Sequence, residues 1–231
     1  MRILAIGDIH TKSWIIEEVE KIADNYDAVV FCGDYADDWG TGPSHSMSTW
    51  RLLKMLMDSN PKVKAVLGNH DYAYIHKEIS GVSSGYHPVT QQLLNAPENK
   101  KIKDWLLSLP VVIELDGITF SHAGVTDEWN GEFDVHSLWQ DNSPIWTRPE
   151  KFGGHFNYKN IPQVIGHNPS ETCEELVPNV WCIDTFSTYQ DGTPVGDQTV
   201  LEIINGKFNK IKLKEKNEHN DSPANIETNV S

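Results

Sequence analysis

Along the first third of the chain, short aliphatic runs alternate with longer stretches whose apolar positions recur every three or four residues. Arg2 to Ile6, Ala28 to Cys32 and Lys62 to Leu67 carry the β-branched, nearly continuous apolar pattern of buried strands. Between the first two, Ser13 is expected to cap a helix running to about Asp24, with Glu17 and Glu18 in its early turns. Ser44 to Met57 has helical spacing through Met47, Trp50, Leu53 and Leu56, and a further helical stretch is expected from about Gln91 to Leu107, ended by Pro110. Val111 to Leu115 and Ile118 to Ser121 flank Asp116-Gly117, the strongest short hairpin signal in the chain. Strands resume at Gln163 to Ile165, Val180 to Ile183, Thr199 to Ile204 and Phe208 to Leu213. This order predicts an α/β domain over residues 1–213, a two-sheet sandwich with helices outside. Residues 214–231 are polar and almost free of large apolar side chains, which predicts a disordered tail.

Residues 125–160 break the pattern, placing Trp129, Trp139, Trp146, Phe152, Phe156 and Tyr158 in an irregular stretch. Aromatic loops can simply cover a domain face. This one lies between two histidine-bearing motifs, so it is expected to wall a binding cleft.

Composition narrows the picture only a little. A chain of 231 residues can enclose one well-buried core. No apolar run approaches the roughly 18 residues of a membrane span, and Ile3-Leu4-Ala5-Ile6 starts a strand with no signal-peptide architecture. Cys32, Cys173 and Cys182 lack paired spacing and read as small buried residues in a reducing compartment, so a cytoplasmic location is expected. The formal net charge of −14 argues against duplex nucleic acid or an anionic membrane as a bulk partner. It does not argue against a phosphorylated substrate, because bound divalent cations would reverse the sign locally.

The candidate chemistry sits in short motifs that mostly follow the aliphatic runs: Gly7-Asp8-Ile9-His10, Gly33-Asp34, Gly68-Asn69-His70, Ser121-His122-Ala123-Gly124 and Gly166-His167. Taken alone, an Asp after a strand is ordinarily a turn residue, and a lone His is ordinarily a satisfied polar group. Together, they deliver oxygen and imidazole ligands from successive strand ends, as a site for two divalent metal ions requires. Asp8 and His10, spaced i, i+2, point the same way from an extended strand end.

This series resembles the calcineurin-like metallophosphoesterases, nearest to their bacterial and phage phosphoprotein phosphatases and to the diadenosine tetraphosphate hydrolases. The resemblance covers about residues 1–205 and implies a four-layer αββα sandwich. It also implies two divalent ions, Mn2+ first, with Fe, Zn, Ni or Mg as alternatives. Asp8 and His10 would hold one ion, Asp34 would bridge, and Asn69, His122 and His167 would hold the other. His70 would act as general acid, oriented by Asp37 three residues after the bridge. Arg148, in Ile145-Trp146-Thr147-Arg148, would contact substrate phosphate together with Asn69, and Asp184 would support a metal-bound His from behind.

The implied reaction is hydrolysis of a phosphate ester by a metal-bridging hydroxide, most directly a phosphomonoester such as a phosphoprotein. A phosphodiester or nucleotide polyphosphate is the alternative. A non-catalytic phosphate-binding module would predict lost ligands or a lost acid, and neither is lost here.

Three positions depart from the family pattern. Asp38 stands where the phosphoprotein phosphatases place a phosphate-clamping Arg, which puts a potentially repulsive carboxylate beside the substrate. Thr11 replaces a Gly after the first His, and Pro169 occupies the second-His position of the Gly-His-x-His found in many metallophosphodiesterases. Tyr35, Asp71 and Tyr72 flank the ligand motifs and could line the pocket or pack on the sheet ends.

Overall fold

The computed structural model describes residues 1–75, 85–134, 143–149 and 156–213; Trp139, Phe152 and the predicted tail lie outside them. Among the described residues, ten strands form two five-stranded sheets. The first has the order β10 (Lys207–Lys212), β9 (Thr199–Ile204), β1 (Arg2–Ile6), β2 (Ala28–Phe31), β3 (Val63–Ala65). In it β1, β2 and β3 run parallel, and β9 and β10 are antiparallel additions at one side. The second has the order β4 (Val112–Leu115), β5 (Ile118–Ser121), β6 (Gln163–Ile165), β8 (Val180–Cys182), β7 (Glu174–Val177). There β5, β6 and β8 are parallel, with antiparallel β4 and β7 on the edges.

The sandwich follows from strand alternation. On β1 and β2, Ile3, Ala5, Ala28 and Val30 face the second sheet and meet Ile118, Phe120, Val164 and Ile183. Leu4, Ile6, Val29 and Phe31 point the opposite way and pack beneath the helices. Those helices are α1 (Ser13–Ile22), α2 (Pro43–Ser59), α4 (Pro88–Asn95) and α5 (Lys100–Ser108), whose buried Ile15, Trp50, Leu53, Leu94, Trp105 and Leu106 complete that layer. Parallel strands read as continuous apolar runs because both faces are covered. On the far face of the second sheet, Phe156 packs over Ile165, Val180 and Cys182. Two mixed sheets with flanking helices make this an α/β sandwich, the architecture that the resemblance implies.

Several local readings change. Lys12, without a side-chain capping bond, precedes α1, and Ser13 is its first helical residue rather than its cap. The single helix expected over 91–107 is two helices, because the chain turns extended at Ala96, before Pro97, then makes a short 3-10 turn before α5. Two elements carried no clear pattern: α3 (Asn69–Ile75), which opens on a site motif, and the edge strand β7, whose Glu174 and Glu175 are exposed. The three cysteines are unpaired and buried. Among the described residues no helix is long and apolar enough to cross a membrane.

Candidate functional site

Every site motif leaves the carboxyl end of a parallel strand. Asp8 follows β1, Asp34 follows β2, Asn69 follows β3, His122 follows β5, His167 follows β6, and Asp184 follows β8. Carboxyl ends of parallel strands are where open α/β sheets bind ligands; the two sheets turn theirs toward one cleft. The backbone is strained there: His10, Asp34, Asp37 and His167 have φ of 40°, 53°, 60° and 65°, a left-handed region that non-glycine residues seldom occupy. Glycines permit the close approach. A Cβ on Gly166 would lie 1.9 Å from Asp8 Oδ1, and one on Gly68 would lie 2.2 Å from Asp34 Oδ1.

One half of the cleft is formed by Asn69, His122 and His167 around Asp34. His122 Nε2 lies 2.8 Å from Asn69 Oδ1, 3.2 Å from His167 Nδ1 and 3.3 Å from Asp34 Oδ2. The opposite ring nitrogens have backbone acceptors, His122 Nδ1 to Cys32 O at 2.9 Å and His167 Nε2 to Trp146 O at 3.2 Å. Assigning a proton to each of those nitrogens leaves the facing nitrogens as lone pairs. Four acceptors then converge with no proton between the two rings. A bound cation reconciles that arrangement, so the donor set fits a metal. Burial, then the neighbouring His122 and Arg148, push His167 well below the usual imidazole range, which keeps its ring neutral.

The other half is looser. His10 Nδ1 faces Asp37 O at 2.8 Å, leaving Nε2 toward the cleft, 3.8 Å from Asp8 Oδ2. The donor atoms of His10, Asp34 and His70 lie within 4.8 Å of one another, and Asp34 belongs equally to the cluster with His122 and His167. Asp8 adjoins the first cluster and accepts the His167 backbone N–H at 3.0 Å. Burial and the nearby Asp184 and Asp34 push the Asp8 carboxyl well up. Asp34 is the opposite case: burial resists its charge, but His122, His70 and His10 outweigh it and hold it well below the carboxylate range.

His70 lies at the start of α3, its backbone N–H donating to Asp34 Oδ1 at 2.9 Å. Its Nδ1 is 3.2 Å from Asp37 Oδ2, and Tyr74 OH donates to the second Asp37 oxygen. Burial disfavours the charged ring, yet Asp34 and Asp37 prevail and raise His70 to about 9. Trp39, Trp146, Arg148, Ser187 and Thr188 complete the lining of a cleft of about 320 Å³. Arg148 Nη1 donates to Asn168 Oδ1 at 3.0 Å, which fixes its head at the cleft wall.

Comparison with known proteins agrees with the geometry. The family described as calcineurin-like phosphoesterase matches residues 1–202. The chain belongs to the calcineurin-like phosphoesterases. Among named relatives, the symmetrical bis(5'-nucleosyl)-tetraphosphatase of Vibrio cholerae is 29% identical over 128 residues, covering 54% of this chain and 45% of that protein. The Baumannia cicadellinicola protein of the same name is 32% identical over 163 residues, covering 68% and 54%. The chain thus spans about half the length of these relatives. A protein serine/threonine phosphatase of Saccharomyces cerevisiae superposes with a TM-score of 0.63 at 14% identity, over 94% of this chain and 82% of that one. The cold-active protein-tyrosine phosphatase of a Shewanella species gives 0.60 at 19% identity, over 91% and 80%. Those likenesses establish the fold.

Within this calcineurin-like frame, the structure gathers Asp8, His10, Asp34, Asn69, His70, His167 and Arg148 around one cleft, with Asp37 behind His70 and buried His122 behind Asn69. Two expectations are corrected. Asp38 is not a bare repulsive charge: Lys12 Nζ pairs with one oxygen at 2.5 Å and Thr188 OH donates to the other. Burial pushes the Asp38 carboxyl up, but Lys12 and the Thr188 hydroxyl outweigh it and hold Asp38 below the usual range. Asp184 does not support a histidine from behind, since the backbone-facing nitrogens of His10, His122 and His167 have carbonyl partners.

Asp71, Tyr35 and Tyr72 are buried. Asp71 Oδ1 accepts from Trp50 Nε1 at 2.7 Å and from the Ala36 amide at 3.1 Å, which fixes the loop after Asp34; burial and Asp34 raise it to about 7. Gln163 was not singled out by the sequence. Its amide bonds Val125 at both N–H and C=O and also Phe156 O, pinning both ends of the aromatic segment. As the one polar residue opening the short apolar strand β6, it offered no pattern signal.

Proposed function

We propose that this protein is a metal-dependent phosphoester hydrolase working in this cleft. The observation that carries the reading is the pair of donor clusters that share Asp34. Asp8, His10 and Asp34 would hold one divalent ion, and Asp34, Asn69, His122 and His167 the other, with Mn2+ the expected pair. When bound, such ions lower the pKa of water and neutralise charge on the phosphoryl oxygens. The protein's own groups do the rest. Arg148 offers a guanidinium for a phosphoryl oxygen, its plane fixed by Asn168, and Asn69 sits where it can orient the same group. His70, kept protonated by Asp37 and Asp34, delivers a proton from Nε2 to the departing oxygen while Nδ1 stays on Asp37. Trp146 and His167 meet edge to face along one wall of the cleft, ring centroids 6.0 Å apart.

The substrate read first is a phosphomonoester, phosphoprotein included, because one guanidinium and one acid suffice for a terminal phosphoryl group. A nucleotide polyphosphate is the second reading. It is favoured by the names of the relatives and by Trp39, 41% exposed at the cleft, where an indole is free to stack on a base.

Protein purified without chelator should retain about two transition ions per chain and hydrolyse p-nitrophenyl phosphate with Mn2+. A panel of p-nitrophenyl phosphate, a phosphopeptide and a dinucleoside tetraphosphate decides between the readings by kcat/KM. Metal-loaded protein inert on all three would sink both.

A further inference from the structure

Asp184 is a carboxylate without an explanation in the ligand set above. It is 1% exposed, lines the cleft, and neither oxygen makes a hydrogen bond of normal geometry among the described residues. Its polar neighbours are the Asp8 carboxyl, which is also buried, and the Ser187 hydroxyl. Two ionised carboxylates side by side in a buried, low-dielectric site are unfavourable unless a proton is shared between them or a cation lies beside them. The histidine protons do not meet that need. His10 Nδ1 faces Asp37 O, His122 Nδ1 faces Cys32 O and His167 Nε2 faces Trp146 O. Lys12 is paired with Asp38, and the Arg148 head is held on Asn168 at the cleft wall. The half of the cleft beside Asp184 is also the half with the fewest protein donors, since Pro169 stands where a second histidine would otherwise reach in.

From this we infer that Asp184 is a further carboxylate for the divalent ion on the Asp8–His10 side, setting its affinity from the end of β8. The inference rests on the two-ion reading. An Asp at this position supplies the negative charge that a neutral imidazole would not, and a hard cation favours it. The arrangement also explains why the strand end after β8 belongs to the site although the resemblance assigned it no ligand.

The test uses the full chain and Mn2+ alone. Asp184→Asn keeps the shape and removes the charge. In the metal-free state, at alkaline pH where both carboxyls are ionised, this variant should melt higher than the parent, because an amide can donate to Asp8 where a carboxylate repels it. With Mn2+ titrated in, the parent should bind two ions. The variant should bind one as before, with affinity for the other lowered about 10-fold or more, and its metal-induced gain in melting temperature should shrink accordingly. Asp184→Ser should reproduce the metal loss without the amide.

Two ions bound by Asp184→Asn at parental affinity, or a metal-free variant that melts lower than the parent at alkaline pH, would overturn the inference while leaving the two-ion reading intact. A parent chain that binds no Mn2+ would remove both together.

Discussion

The two halves of the cleft differ in how much of their geometry the protein holds by itself. Around Asn69, His122 and His167, the donor atoms sit 2.8–3.3 Å apart and both backbone-facing ring nitrogens are anchored on carbonyls. Around Asp8, His10 and Asp184, His10 Nε2 stands 3.8 Å from Asp8 Oδ2, and the buried Asp184 oxygens have no hydrogen-bond partner among the described residues. The first half is prearranged by hydrogen bonding, so filling it costs little reorganisation. The second gathers excess negative charge in a buried place, so its shape and its energy depend on what cation enters. In the proposed reading, the tight half holds the ion that orients substrate, and the loose half holds the one that is exchanged first when metal is scarce.

Asp34 belongs to both halves, and its loss should erase the contrast. Asp34→Asn is expected to lower hydrolysis by about 10²–10³-fold or more and to reduce ion content on both sides. Elemental analysis beside kinetics checks this; two ions retained at full affinity would show that Asp34 is not shared.

Gly166→Ala should separate the halves. Its Cβ would sit 1.9 Å from Asp8 Oδ1, so Asp8 or the Gly166 backbone must move. Binding of the ion near Asp8 should suffer most, while the Asn69 side keeps its ion, seen as one of two binding steps lost in a Mn2+ titration.

The proposed acid, His70, stands beside the shared Asp34, with Nε2 3.8 Å from its Oδ2. His70→Asn should keep ion stoichiometry and lower kcat about 10²–10⁴-fold for alkyl phosphates, with a much smaller loss for p-nitrophenyl phosphate, whose leaving group needs no proton. A pH series on metal-free protein gives an independent readout. With burial opposing and Asp34 and Asp37 prevailing, His70 titrates near 9 when folded, above the roughly 6.5 of a free imidazole. Its stabilising contribution is therefore complete below about 6.5 and is lost as pH rises through about 9. The decline in melting temperature over that window should flatten in His70→Asn.

The smallest effect should come from the rim. Lys12→Met leaves Asp38 without its cation, so KM for a phosphomonoester should rise about 2–5-fold, the scale of a weak ion pair, with kcat unchanged. An unchanged KM would place the Asp38 charge outside substrate reach.

Much of this molecule was readable before folding was considered. The apolar runs of β1, β2, β5, β6 and β9 are buried on both faces, and such strands announce themselves by composition. The motif residues were visible only as a series, because a single Asp or His after a strand has ordinary explanations that five such motifs in order do not share. The edge strand β7 and the break at Ala96-Pro97 were not, since exposed glutamates carry no periodicity and a short interruption does not disturb a helical average.

What the sequence by itself determined is local: where chain turns away from a strand and which ligand atom it carries there. Tertiary structure decided everything that depends on opposition across space. It set Asp38 against Lys12 and Thr188, used Gln163 to tie two distant backbone segments, and gave the histidine protons to carbonyls, leaving Asp184 facing Asp8 without one. The physical reason is that a side chain's charge state and hydrogen-bond partner are fixed by its non-local neighbours and its burial, and neither is encoded within a few residues of it.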